Sequence, residues 1–489
     1  MDGGAARFLD EATWRNSLFS GGWTKIDATL QIIEPATGKA IGSVGLARPA
    51  DILKAAGRAR AAQPGWAALS PDARAAVLRR AALTLETHAK EIAGWIVRET
   101  GAIPPKADFE VGIAVRCLYE ASAMPTQPQG HVLPGTGDRL SVCRRVPLGV
   151  VGVISPFNFP FYLSLRAVAP ALATGNAVVL KPDPRTPVTG GFAIARLFED
   201  AGLPPDVLHV LPGHADAGAA LCGDDNVAMI QFTGSTAAGR KVGELAGRHL
   251  KKVSLELGGK NTLIVLDDAD LDVAASNAAW GAYLHQGQIC MTTGRILVQE
   301  SVAGSFATRL AARAKQLPVG DPASGQVALG PLIDAAQRDH AHDIVQRSLK
   351  AGAQLQAGGS YDGLFYNPTV LTGVKPGMAA FEEEVFGPVA SIVTFSTDAE
   401  AVALANRTAY GLSAGIISAS VARAMAIGNQ LSVGLLHIND QTVADDVINP
   451  FGGRGISGNG TSIGGPANWE EFTQWQWLTV KGAATPYPF

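Results

Sequence analysis

Val150-Val151-Gly152-Val153-Ile154-Ser155-Pro156-Phe157-Asn158-Phe159-Pro160 is the stretch that decides the fold class. Its apolar, mostly β-branched start reads as a strand buried on both faces, and two prolines end it. Leu163–Leu172 then reads as a helix and Asn176–Leu180 as the next strand. Beyond them come a helix over Val188–Asp200 closed by Gly202, a strand at Val207–Leu211 and another at Met229–Phe232. A helix follows from Ser235 to about Arg248. Short apolar runs joined by helices indicate parallel βαβ units, so the chain is an α/β protein. Hydropathy over Val150–Leu180 is high enough to suggest a membrane span. Pro156, Asn158, Pro160, Arg166, Pro170 and Asn176 interrupt it, so it is read as buried strand, loop, helix and strand instead.

A second α/β series starts near Asn261, with a strand at Thr262–Leu266 and a helix over Leu271–Leu284 that leads to Cys290. A long helix is expected over Ala335–Ala351, with strands at Ser391–Phe395 and Gly415–Ser418. Upstream, Ser70-Pro71-Asp72 caps a helix with Val77, Leu78, Leu83, Leu85, Ile92, Trp95 and Ile96 on its apolar side and Gly101 at its end. Leu140–Val146 and the run from Phe472 to Val480 are β-prone but have no partner beside them in sequence. Each pairs either within the chain or with another subunit's sheet.

At 489 residues the chain exceeds one ordinary core, so about two or three domains are expected. Hydrophobic residues make up 47% and charged residues 17%, and the formal net charge is −3. Those values fit a globular protein and give no reason to expect nucleic acid or an acidic membrane surface as partner. Cys117, Cys143, Cys222 and Cys290 have no metal-ligand spacing, so no metal is expected. Met1-Asp2-Gly3-Gly4 lacks the basic start of a secretory signal, and a cytoplasmic location is expected.

Chemistry concentrates around Cys290, in Leu284-His285-Gln286-Gly287-Gln288-Ile289-Cys290-Met291, and Glu256, in Leu255-Glu256-Leu257-Gly258-Gly259-Lys260. A lone cysteine among glycine and glutamine, with a carboxylate just before a Gly-Gly turn, suggests a thiol nucleophile and a base for water. Phe232-Thr233-Gly234-Ser235-Thr236-Ala237-Ala238-Gly239 follows a strand and opens a helix. Its small residues suit either phosphate binding or tight helix packing. Asn158 either donates to an oxyanion or satisfies backbone groups in a buried turn. Lys181 ends a strand, where cofactors lie in such sheets, unless it is simply solvated. Glu382-Glu383-Glu384-Val385-Phe386-Gly387-Pro388 is a site segment or an acidic surface run.

In combination, these segments resemble the aldehyde dehydrogenase superfamily. The match includes Glu34-Pro35-Ala36-Thr37-Gly38, Leu317-Pro318-Val319-Gly320-Asp321-Pro322 and Pro450-Phe451-Gly452-Gly453, and it covers nearly the whole chain. It implies a Rossmann-like NAD(P)-binding domain over 1–135 and 147–256 and an α/β catalytic domain over 257–466. A small β oligomerisation domain is implied over 136–146 and 467–489, and with it a homodimer or homotetramer. Cys290 would be the nucleophile and Glu256 the general base. Asn158, with the Cys290 backbone N–H, would form the oxyanion hole. Cofactor contacts are implied for Ser155, Pro156, Phe157, Lys181, Arg185, Gly213, Phe232, Gly234, Ser235, Leu257, Glu384 and Phe386.

Where many NAD-preferring relatives carry glutamate three residues after the lysine, this chain has Pro184, with Arg185 beside it. Losing the acid and gaining an arginine predicts use of both NAD and NADP. Lys-Pro-Asp-Pro-Arg-Thr and His-Gln-Gly-Gln-Ile-Cys-Met look like the benzaldehyde and vanillin dehydrogenase branch, which implies an aromatic aldehyde substrate. A broad aliphatic or semialdehyde dehydrogenase is the alternative, and a non-catalytic cofactor-binding or structural protein is a third reading. Phe161, Tyr162, Arg166, Trp280, Tyr283, Ile289 and Met291 are the candidate substrate-lining residues. Arg166, unusual in its apolar segment, either pairs with a carboxylate or reaches a substrate substituent.

Overall fold

Val150–Ile154 is fully buried and lies in the middle of a seven-stranded sheet. The order is Lys252–Glu256, Val227–Thr233, Val150–Ile154, Ala177–Lys181, Leu208–Val210, Ser17–Ser20, Trp23–Lys25. The first five strands run parallel, and Ser17–Ser20 pairs antiparallel with both Leu208–Val210 and Trp23–Lys25. Successive strands add to one side of Val150–Ile154 up to Leu208–Val210. The chain then returns to its other side with Val227–Thr233. A crevice therefore opens at the C-terminal ends of those two strands, where ligands bind in such sheets. This computed structural model describes residues 7–135 and 137–489; the Met1–Gly4 start and the 136 boundary lie outside them.

A second seven-stranded sheet runs Gln354–Ala357, Thr369–Thr372, Val389–Phe395, Thr293–Gln299, Asn261–Val265, Ser413–Ile417, Leu435–Ile438. Thr293–Gln299 leaves the cysteine loop, which joins it to the helix Leu271–Tyr283. The two isolated β-prone segments pair with each other. Thr473–Val480 runs antiparallel to Leu140–Pro147, from Thr473 opposite Pro147 to Val480 opposite Leu140. Gly130–Leu133 flanks the other edge of Leu140–Pro147, so this small sheet begins before 136.

Helix Pro71–Thr100 starts at its Ser70 cap, with Ser70 Oγ accepting from Ala73 N at 3.2 Å, and ends at Gly101 with φ +70°. Leu83, expected on its apolar side, is 55% exposed, because the neighbouring helix Pro104–Ala123 covers a different face. The helix expected from Val188 opens as one π turn over Val188–Phe192, before Ala193–Asp200. Glu99 accepts from the Val188 and Thr189 amides there, and that buried carboxylate holds the turn.

Candidate active site

A cavity of about 860 Å³ fills the crevice. Ser155, Pro156, Phe157 and Lys181 line it from the strand ends, and Phe232, Gly234 and Ser235 from the facing switch point. Gly213 and Arg185 come from loops, while Glu384 and Phe386 close it from the second sheet. Its volume suits a molecule of cofactor size. Ser235 caps the helix Thr236–Arg248 with Oγ accepting from Ala238 N, and the N–H groups of that first turn face an incoming anion. Lys181 Nζ, almost wholly buried, donates only to Pro182 O among the described residues. Glu384 Oε1 accepts from Gly259 N at 2.9 Å, and a Cβ on Gly258 would lie 2.1 Å from Glu384 Oε2. Loss of solvent around that carboxyl pushes its pKa up to about 7. Positive groups at one end and a ribose-sized acceptor at the other fit a dinucleotide.

Two residues that no motif signalled share this wall. Gln337 and His340 reach it from the helix Ala335–Lys350, with Gln337 Nε2 bonded to Phe386 O and His340 Nε2 to Glu384 O, each at 2.9 Å. Leu257 is not on the cavity. It packs on Gly239, where a Cβ would meet its Cδ2 at 2.3 Å, and lines a smaller chamber instead. Arg185 is not a free cation either. It is bound by Asp183 and Asp334, each at 2.8 Å, and lies 4.2 Å over the Phe157 ring. Those carboxylates raise its pKa and neutralise its charge, and Asp183 itself lines the cavity. Held by both carboxylates, Arg185 is not free to meet a 2′-phosphate.

Cys290 faces the cavity from a tightly fixed loop. His285, Gln286 and Gly287 have φ of 49°, 56° and 68°, which for the two non-glycines costs about 1–3 kcal/mol each. A Cβ at Gly287 would lie 2.2 Å from Gly387 O, so that position requires glycine. Gln286 Nε2 donates to Gly101 O and Pro331 O, and Asn261 Nδ2 to Cys290 O at 2.8 Å and Thr292 O at 2.9 Å. These bonds offset the strain and fix the sulfur's direction. Burial and the nearby Glu384 and Glu256 push the Cys290 thiol up to about 12, and Arg166 opposes them.

Glu256 ends its strand, is 3% exposed, and has no hydrogen-bond partner for either carboxyl oxygen among the described residues. Burial holds its pKa well above the usual carboxylate range. Asn158 Nδ2 donates to Gln288 O at 2.9 Å, beside the cysteine, and its Oδ1 is unpaired. An ion pair fixes the backbone on either side of this asparagine. Lys106 Nζ donates to Asn158 O at 2.8 Å and lies 3.9 Å over the Phe159 ring. Its partner Glu110 accepts from Phe161 N and Tyr162 N at the start of the next helix. Both side chains have 0% exposure. In sequence the pair reads as an ordinary i,i+4 surface pair, so its burial was not legible there.

Beyond Cys290 and Glu256 the smaller chamber is walled by Leu163, Leu257, Phe451, Ile463 and Arg166. Arg166 does pair with a carboxylate, Asp445 at 2.6 Å, and also donates to Ile463 O at 3.0 Å. Tyr162 lies off the chamber wall, its hydroxyl on Asp445. The other substrate-lining candidates are displaced. Phe161 points into the core, Trp280 is 56% exposed on the outer face of its helix, and Tyr283 packs in the second sheet's core with its hydroxyl on Thr369 O. Ile289 and Met291 flank Cys290 but are buried in the core instead.

The model of the aldehyde dehydrogenase family matches residues 23–478. A vanillin dehydrogenase from Amycolatopsis sp. is 56% identical over 484 residues, covering 99% of this chain and 100% of that one. The benzaldehyde dehydrogenase [NAD(+)] of Pseudomonas putida is 48% identical, covering 98% and 99%. Among solved structures, betaine aldehyde dehydrogenase from Staphylococcus aureus in complex with NAD+ superposes with TM-score 0.94 at 28% identity, covering 99% and 98%.

Proposed function

Because the chain belongs to the aldehyde dehydrogenase family, we propose how its own residues oxidise an aldehyde to the carboxylic acid with NAD. One observation carries the reading: a thiol, Cys290, and an unpartnered buried carboxyl, Glu256, face one cavity whose other walls suit a dinucleotide. Lys181, Ser235 and Glu384 hold the cofactor, and Gln337 and His340 add to that wall. The Cys290 thiol gives up its proton to solvent, the thiolate sulfur attacks the aldehyde carbon, and the carbonyl π pair moves onto the oxygen beside the Asn158 amide. One such donor is worth roughly 3–4 kcal/mol of barrier. NAD, when bound, accepts the hydride that leaves this carbon. The acyl group then remains on Cys290 as a thioester. Glu256 removes a proton from water, the hydroxyl oxygen bonds to the acyl carbon, and the Cys290 thiolate leaves. A carboxylate poised over the thioester favours water over a second thiol as acceptor, so the enzyme is non-acylating.

The substrate we infer is an aromatic aldehyde of the benzaldehyde or vanillin kind. Relatives at 48–56% identity carry those names, and Leu163, Phe451 and Ile463 give the chamber apolar walls with Arg166 as its polar end. The chamber's free volume of about 20 Å³ suits a water, so ring entry requires Leu163 and Phe451 to move aside. A panel of benzaldehydes, linear aldehydes and semialdehydes, run with NAD and with NADP, tests this. We expect kcat/KM for benzaldehydes at least about tenfold higher, a difference of roughly 1.4 kcal/mol. Linear aldehydes matching or exceeding them would overturn the aromatic reading. NAD should lead NADP, because Arg185 is already paired; equal use would mean that Arg185 leaves Asp183 for a phosphate.

We infer a homodimer or homotetramer with three domains per chain, the small one gaining Gly130–Leu133. Thr473–Val480 and Leu435–Ile438 are both sheet edges, and Trp475, Trp477, Leu478 and Val480 are exposed on the first of them. An open edge with such side chains is a template for pairing. Light scattering that reported a monomer at micromolar concentration would overturn the assembly. No described helix is long and apolar enough to cross a membrane. Dependence on NAD supports the cytoplasm as location, and recovery in a periplasmic fraction would contradict it.

A further inference from the structure

We propose that the second sheet holds a binding site for a small oxyanion, of phosphate or sulfate type, between Lys260, Thr262 and Arg295. A cavity of about 210 Å³ opens there, with Asn406, Ser432 and Gly455 exposed at its mouth. It is separate from the cofactor cavity, since no residue lines both.

Three buried donors on residues that line this space have no partners among the described residues: Lys260 Nζ, Thr262 Oγ1 and Arg295 Nε. Lys260 is 2% exposed and Arg295 0%. Thr262 and Arg295 stand opposite each other on adjacent parallel strands, so their spacing is set by the sheet. The other nitrogens of Arg295 are held by the carbonyls of Leu404, Ala405, Arg407 and Lys260, and its guanidinium lies 4.8 Å over Phe381. The guanidinium is therefore held on both terminal nitrogens, and its Nε–H has no partner among the described residues. Two basic side chains facing one cavity without a carboxylate bonded to either is an uncompensated arrangement. A buried charge without a counter-charge is destabilising. Burial and Arg295 push Lys260 down to about 7, while Glu384, Glu383 and Glu382 act only at a distance. An anion in the cavity would keep Lys260 protonated and satisfy all three donors.

Size and donor geometry select the class. The space takes a tetrahedral anion with a few waters but is below the range of nucleotide-sized pockets. Donors converge from an ammonium, a hydroxyl and a guanidinium, which suits several oxygens on one centre better than a single halide.

The test is calorimetric titration of inorganic phosphate into the NAD-saturated full-length protein, so that phosphate cannot register in the dinucleotide cavity. A matched sodium chloride titration at equal ionic strength separates specific binding from screening. We expect about one phosphate per chain, and at least tenfold weaker binding in Lys260→Met. Absence of saturable binding, chloride binding as tightly as phosphate, or unchanged affinity in Lys260→Met would each overturn the site. If Lys260→Met does not fold, Thr262→Val asks the same question. It should weaken phosphate several-fold, and unchanged affinity would again overturn the proposal.

Discussion

Replacing Cys290 with alanine should abolish aldehyde oxidation, by about 10⁴-fold or more, while NAD still binds. The size of the effect follows from the absence of a substitute. Cys117, Cys143 and Cys222 are the other thiols: Cys117 and Cys222 are buried, and only Cys222 touches the cofactor cavity, where its thiol is pushed up to about 11. The loop should survive the change. Its fixing bonds run through Gln286, Asn261 and Thr442 to backbone carbonyls, and none uses the Cys290 sulfur. Fluorescence quenching by NAD would thus be unchanged while turnover vanishes. Measurable turnover in Cys290→Ala would dismiss the nucleophile assignment. A companion measurement follows from the burial that pushes the Cys290 thiol up to about 12. A raised thiol pKa means less thiolate at any given pH. Alkylation of Cys290 by iodoacetamide should therefore keep rising past pH 9 rather than level off there, and a plateau below pH 8 would contradict it.

Glu256→Gln separates the two halves of the reaction. We expect a burst of reduced cofactor close to one per active site, then a steady state lower by about 10²–10⁴-fold as the thioester accumulates. The variant is a clean probe because neither carboxyl oxygen has a partner among the described residues, so the amide breaks no hydrogen bond there. Wild-type deacylation should also speed up with pH above the ordinary carboxylate range, because burial holds Glu256 protonated further up the scale and only the ionised form takes a proton from water. The glutamine variant should show no such rise. Burst and steady state falling by equal factors would count against a role confined to hydrolysis.

The parallel sheet was legible in the sequence because its central strand is apolar on both faces. Val150–Ile154 has the bounds expected of it, and Ser235 caps the helix it was expected to open. Cys290 and Glu256 stood out as candidates through a lone cysteine among glycine and glutamine and a carboxylate just before a Gly-Gly turn, and the structure brings both with Asn158 to one cavity. Residues on helix faces were not legible. Periodicity tells which residues share a face but not which face meets the site, so Trp280 points to solvent and Tyr283 into another core. Long-range partners left no trace either. Asp445 lies 279 residues from Arg166, and only the fold brings them together. Gln337 and His340 look like ordinary polar helix residues until that helix is laid along the cavity.

Cys290 and Asn158 are anchored to different sheets. Cys290 is tied through Asn261 to the second sheet, whereas Asn158 hangs from the end of Val150–Ile154 in the first. The Asn158–Gln288 bond crosses that seam, while the Lys106–Glu110 pair fixes Asn158 from its own side. Substitutions where the sheets meet will therefore cost turnover before they cost folding, and stiffening that seam is the most direct route to adjusting the enzyme without touching a reacting atom.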